Sequence, residues 1–276
     1  MFIHIHIIHT KFLFDQIWNV WTKYGDERLK PIHTAMIGLS ATLYAVVGIL
    51  TSLGIVSPVV GVVRFWPAVI VPAVFAVLFG PWVGGIGAAI GIFISDMVFP
   101  GHGNVLLSLT VGVPANFLGF YLIGYISKMN LRWKEVVFGM GAGCIILALA
   151  AYLAVQVLIT LDIAIIFIGV LVVSYVLALT VGYKYKRWLS YEISSVVGLA
   201  VGSAWIGFGL WAYSQVLPLP QSLGGEMHAP FWASFLWFVW TFSTEIPFLV
   251  AVVPPILDTC YRAFPSLRLE QKKETM

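Results

Sequence analysis

Glu245 is the residue hardest to place without a function. It stands inside an apolar run, with Pro247 two residues on and Trp232, Trp237 and Trp240 just before it. Holding an ionisable group inside a membrane span costs at least ~2.5 kcal/mol, so such groups face a polar cavity or a partner. A structural hydrogen bond to Asn116, or to backbone loosened by Pro247, is the other way to satisfy it. Trp232 and Trp237 also suit an interfacial belt. Asp96 ends a stretch rich in small residues (Gly84, Gly85, Gly87, Ala88, Ala89, Gly91), ahead of Gly101-His102-Gly103-Asn104 and of Asn116. It is either a solvated helix-end carboxylate or part of a ligand site or gate. Arg64 lies in a non-polar connection, Ile55 to Trp66. It could hold lipid headgroups, an acidic group on a ligand, or Asp96.

Several chemistries are missing. There is no Gly-x-Ser-x-Gly elbow, no His-Glu-x-x-His zinc pair and no Gly-x-x-x-x-Gly-Lys-Ser/Thr phosphate loop. His4, His6 and His9 have no carboxylate or thiol at useful spacing, so no metal site is expected. Asp96 and Asp162 fall beside different outer connections and do not make a catalytic pair. The expectation is a protein that is not an enzyme, with no catalytic residues, no metal and no cofactor, and that does not hydrolyse ATP through a phosphate loop of its own.

The elements carrying these residues follow from composition. Of 276 residues, 60% are hydrophobic and 10% charged, whereas a soluble domain carries roughly 25% charged residues. Apolar stretches at 33–53, 66–80, 82–99, 105–127, 136–158, 163–183, 193–213 and 231–257 predict about eight transmembrane helices, since about 20 apolar residues cross the hydrocarbon core. Gly80-Pro81 separates the short second span from the third by a reversal. An amino terminus placed inside puts Lys11, Lys23, Arg28, Lys30, Lys128, Arg132, Lys134, Lys184, Lys186, Arg187, Arg262, Arg268, Lys272 and Lys273 on the cytoplasmic side, leaving Arg64 as the outer exception. That bias sets orientation, so both termini are expected inside, in a multi-pass plasma-membrane protein. The net charge of +3 is then a topology signal with no nucleic-acid partner implied. Residues 1–32 read as a cytoplasmic segment, either a surface helix or a tail, with no cleavable signal; 33–262 as the membrane domain; 263–276 as a cytoplasmic tail. Cys144 and Cys260 are not expected to pair. The connection at about 214–230, with Pro218, Pro220, Gly224 and Gly225, reads as a turn-rich loop.

In the first span Gly38, Ala41, Ala45 and Gly48 recur at three- and four-residue intervals on one helical face. Small residues allow close helix approach in lipid, so this is either internal packing or a docking stripe for a membrane partner. Ala41-x-x-x-Ala45, together with Val63-Arg64-Phe65-Trp66-Pro67 through Phe79-Gly80-Pro81-Trp82-Val83-Gly84-Gly85 to Asp96, resembles the S components of energy-coupling factor (ECF) transporters. Those are the substrate-capture subunits of ABC-type importers. The likeness covers about 33–127. Such subunits usually have six spans, so the eighth span here would correspond to their sixth, and spans six and seven would be an inserted pair.

The resemblance implies a vitamin or other micronutrient bound near the outer face under the first outer loop. Docking would be on a coupling transmembrane subunit with two ATP-binding subunits. It places Arg64 in the gating loop, and Asp96, Asn116, Trp240 and Glu245 along or beside the pocket, where Trp and Glu would suit a flat or cationic heterocycle. Three other readings use the same residues: a proton-coupled secondary transporter with Asp96 or Glu245 as proton carrier, an intramembrane enzyme, and an assembly factor.

Overall fold

The computed structural model describes residues 31–51, 66–98, 103–129, 131–155, 161–184, 188–220, 225 and 227–267. Among them every regular element is a helix. In chain order these are α1 (Pro31–Leu50), a 3-10 turn (Pro67–Val69) leading into α2 (Ile70–Phe79), α3 (Pro81–Val98), α4 (Val105–Ile126), α5 (Trp133–Val155), α6 (Leu161–Lys184), α7 (Leu189–Ser214) and α8 (Trp232–Ala263). By length and composition six of them can cross a membrane: α1, α3, α4, the Phe167–Lys184 part of α6, α7 and α8. The Pro67–Phe79 helix and the apolar stretch Val137–Leu149 of α5 are shorter. The described residues therefore form an all-helical, multi-pass membrane protein. Helices occur at all eight apolar stretches, and among the described residues six are long and apolar enough to cross a membrane.

The α2–α3 reversal shows how local sequence sets the packing. Gly80 closes α2 at φ 104°, ψ 168°, a backbone region essentially reserved for glycine. Pro81 then starts α3, where its missing N–H costs nothing. A Cβ on Gly84 would lie 2.3 Å from the Ala76 Cβ, so the two helices touch backbone to backbone. The same closeness recurs between α4 and α7, where a Cβ on Gly198 would lie 2.5 Å from the Gly119 carbonyl oxygen.

α3 lies between α1 and α4, α4 lies between α3 and α7, and α7 continues the packing to α8. Short α2 touches α1, α3, α4 and α8 and so fills the middle. α5 packs mainly on α6, with a minor contact to α7, and α6 joins the rest through α8 and α7. The peripheral pair is thus α5 and α6. α7, one of the two spans expected to form the inserted pair, is a central helix, with Tyr191, Glu192, Ser195 and Ser203 buried, Gly198, Gly202 and Gly209 against α4 and Gly207 against α8.

Of the two readings of the small-residue stripe of α1, internal packing is the one its burial favours. Ala41 and Ala45 are each 3% exposed and Gly48 is buried, while Gly38 faces outward with open space around it. The Ala41 carbonyl oxygen lies 2.7 Å from where a Gly91 Cβ would stand, and the Trp66 indole covers Gly48. The stripe is spent on close packing inside this chain, so Ala41, Ala45 and Gly48 offer no free docking surface.

The N-terminal segment 1–30, Arg64 and its loop, and residues 268–276 lie outside the described residues. So do His4, His6 and His9.

Candidate functional site

A cavity of about 140 Å³ opens among α1, α3, α4, α7 and α8. Its position along the bundle can be read from α3. Lys128 Nζ stands 3.5 Å from the Cβ position of Gly80, so the turn before α3 is at the basic end. Asp96 lies sixteen residues farther on, roughly 24 Å away at the helical rise. The cavity begins at Asp96 and Leu107 and reaches inward to Ile123 and Gly198.

The α4 side of the cavity is an irregular helix. Asn104 caps its start, its Oδ1 accepting from the Leu107 N–H at 3.0 Å, while Asn104 Nδ2 donates to Tyr213 Oη at 3.0 Å. Ser108–Gly112 forms a π turn, a widening frequent at functional sites. Pro114 supplies no N–H for the Thr110 carbonyl, which instead accepts the Trp205 indole N–H at 3.2 Å. The wider turn brings Ser108 to Asp96, its Oγ donating to Oδ2 at 2.7 Å. About two turns deeper than Ser108, Asn116 Nδ2 donates to the Gly112 carbonyl at 2.9 Å and its Oδ1 accepts the Tyr44 hydroxyl at 2.6 Å. Asn116 is therefore held by Tyr44 and its own helix. The expected hydrogen bond to Glu245 is not what occupies it.

Glu245 comes from α8 and is 7% exposed. Its side chain makes no hydrogen bond or ion pair with the described residues and lines the cavity. Thr241, one helical turn before it, lines the same wall, with Ser203 facing from α7. Both hydroxyls are buried and lack a hydrogen-bond partner among the described residues. An unsatisfied buried donor or acceptor costs about 1–3 kcal/mol, so two such hydroxyls beside the Glu245 carboxylate mark a place for polar contents. Tyr44, Trp66 and Phe120 form an aromatic wall, with Tyr44 edge-on to both partners at centroid distances of 6.0 and 6.1 Å.

Of the residues singled out from sequence, Asp96, Asn116 and Glu245 come together on this cavity. Arg64 lies outside the described residues. Trp240, expected along or beside the pocket, is not among the lining residues, though its neighbour Thr241 is. Thr241 and Glu245, four apart, share a helical face, and Trp240 is turned about 100° from Thr241. The ring surface assigned to it is supplied by Tyr44, Trp66 and Phe120. Thr241 was findable from its spacing to Glu245, whereas Ser203 and Tyr44 carry no comparable sequence signal.

The α7–α8 connection closes the Asp96 end. Leu219 and Ala229 are buried with Leu107, Val111, Leu210 and Trp237. Gln215 Nε2 donates to the Ala229 carbonyl at 3.0 Å, and the Ala229 N–H donates to Ser214 Oγ at 3.2 Å. In its described part this connection is pinned to the helix ends and contributes to a small core.

A second carboxylate escaped the sequence reading. Glu192, on the first turn of α7, is fully buried, and both its oxygens lack a hydrogen-bond partner among the described residues. It follows Lys184, Lys186 and Arg187 closely, so from sequence it reads as an ordinary helix-start acid. It stands eleven residues before Ser203, close to three full turns and so on the same face of α7, but outside the cavity lining.

Fold and cavity together define a multi-helix membrane protein with an internal, mostly apolar void provided with a few polar groups. Comparison with protein-family models, with curated proteins and with solved structures finds no match for the chain.

Proposed function

We propose that this chain is the substrate-capture subunit of an ECF-type importer in the plasma membrane. It takes a vitamin-like or other small micronutrient from the outer side and docks on a coupling transmembrane subunit that carries two ATP-binding subunits. The observation that supports this best is the cavity, which gathers Asp96 of α3, Asn116 of α4 and Glu245 of α8 around one void. The positive-inside bias assigns the Lys128-bearing end of the bundle to the cytoplasm, which turns the Asp96 end of the cavity toward the outer face. Compact, mostly apolar pockets with a few placed polar groups are the usual form of small-molecule sites. The six helices α1, α2, α3, α4, α7 and α8 form a core of the helix number expected of such a subunit, with α5 and α6 added at its side.

Two carboxylates in one cavity, Asp96 and Glu245, favour one competing reading, a self-sufficient proton-coupled transporter. Affinity purification of the tagged chain from its native membrane in mild detergent, followed by mass spectrometry, separates the two. Recovery of a coupling membrane subunit with two ATPases is expected. Recovery of the chain alone, under conditions that keep other transporter complexes whole, would sink the importer reading. Uptake by the chain alone that is abolished by collapsing the proton gradient would establish the other.

A further inference from the structure

On the reading of this cavity as a capture site, we infer that its ligand is a compact organic cation: one ring bearing a positively charged nitrogen group, seated on the Glu245 carboxylate. Charge is the first observation. Among the described residues the lining holds two carboxylates, Asp96 and Glu245, and no lysine, arginine or histidine. Asp96 already accepts from Ser108. Glu245 is 93% buried by its 7% exposure and has no hydrogen bond or ion pair among the described residues. A carboxylate without a countercharge inside a membrane span is costly, and a cationic ligand supplies what the chain does not.

Shape is the second. The void is about 140 Å³, close to the ~150 Å³ of an apolar cavity that holds benzene, which sets a one-ring scale. Tyr44, Trp66 and Phe120 present ring surface on the α1–α4 side, which stacks on a flat ligand and attracts positive charge. The third observation is the pair of unpartnered hydroxyls. Ser203 is 0% and Thr241 1% exposed, and both open on the void next to Glu245. A nitrogen group with several N–H donors satisfies the carboxylate and these hydroxyl oxygens together, which a neutral hydrocarbon or an anion does not.

Benzamidinium, benzamide and benzoate share one ring and nearly one size but carry charges of opposite sign or none, so they isolate the charge. Binding of each to the purified full-length chain in detergent is measured by calorimetry and by thermal unfolding. Benzamidinium is expected to bind about ten- to a hundredfold more tightly than benzamide, from the strength of charged hydrogen bonds, with benzoate weakest. Glu245→Gln, nearly the same shape, is expected to remove that preference, and Thr241→Val to weaken benzamidinium several-fold while keeping it. Should Glu245→Gln fail to fold, the probe series on wild type and Thr241→Val still decide. Equal binding of benzamide, preference for benzoate, no benzamidinium binding at millimolar concentration, or full binding by Glu245→Gln each overturn the inference. Failure here is distinguishable from failure of the importer reading. A recovered complex with no cation preference sinks the ligand class alone, whereas cation binding by a chain that co-purifies with nothing sinks the importer alone.

Discussion

Gly198→Ala tests the seam on which the cavity depends. The added methyl would sit 2.5 Å from the Gly119 carbonyl oxygen and 2.6 Å from Ile123 Cγ1. The isoleucine can rotate, but the carbonyl belongs to α4's backbone. Ordinary contact begins near 3.4 Å, so α4 and α7 must separate by most of an ångström along their closest line. Overpacking of this kind costs about 1–3 kcal/mol. For a chain of this size that lowers the melting temperature by about 2–12 °C, at ~2–4 °C per kcal/mol. Gly202→Ala meets the Ala115 carbonyl oxygen at 3.1 Å. A shift of a few tenths of an ångström relieves it, and the helix-propensity gain of about 0.5–1 kcal/mol offsets the rest. Gly38→Ala meets nothing within 4 Å and should be neutral or slightly stabilising. Because Cys144 and Cys260 are free and partly buried, reaction with a thiol-sensitive fluorophore during heating follows unfolding in detergent. The expected order of melting is Gly198→Ala lowest, then Gly202→Ala, then Gly38→Ala. A Gly198→Ala protein that melts with wild type, or a Gly38→Ala protein that melts below it, would refute the idea that backbone contact at this seam holds α4 to α7.

Glu192→Met should raise stability by about 1–3 kcal/mol, because it replaces a buried, unpartnered carboxylate with an apolar chain of similar length. The same thiol assay reads it, and a lower melting temperature would mean the carboxylate is satisfied in the folded protein. Gly80→Ala should cost about 1–3 kcal/mol through backbone strain at φ 104°. Since the α2–α3 hairpin positions Asp96, benzamidinium binding should weaken as well; unchanged unfolding and binding would show that the turn can be rebuilt without glycine.

Much of this protein was legible as sequence. An apolar run has one way to satisfy its backbone in lipid, so helix type and approximate position follow from composition. The Gly80-Pro81 reversal follows from two residues whose backbone preferences are nearly absolute. Glu245 announced itself because an ionisable group in an apolar run has no inexpensive local explanation, and Asp96 and Asn116 were named with it. Which helix faces meet was not legible. The stripe Gly38, Ala41, Ala45, Gly48 reads identically for an internal seam and for a partner's surface, and only the arrival of α3 and Trp66 makes Ala41, Ala45 and Gly48 internal. The central place of α7, and with it Ser203 on the cavity and Glu192 in the core, depends on contacts between segments about eighty residues apart, such as Gly119 with Gly198. Trp240 and Thr241 are neighbours in sequence, and a 100° step of the helix decides that the threonine meets the void. Sequence determined the helices and the charge they carry because those are properties of single segments. The cavity is a property of several segments at once, so tertiary packing alone decided it.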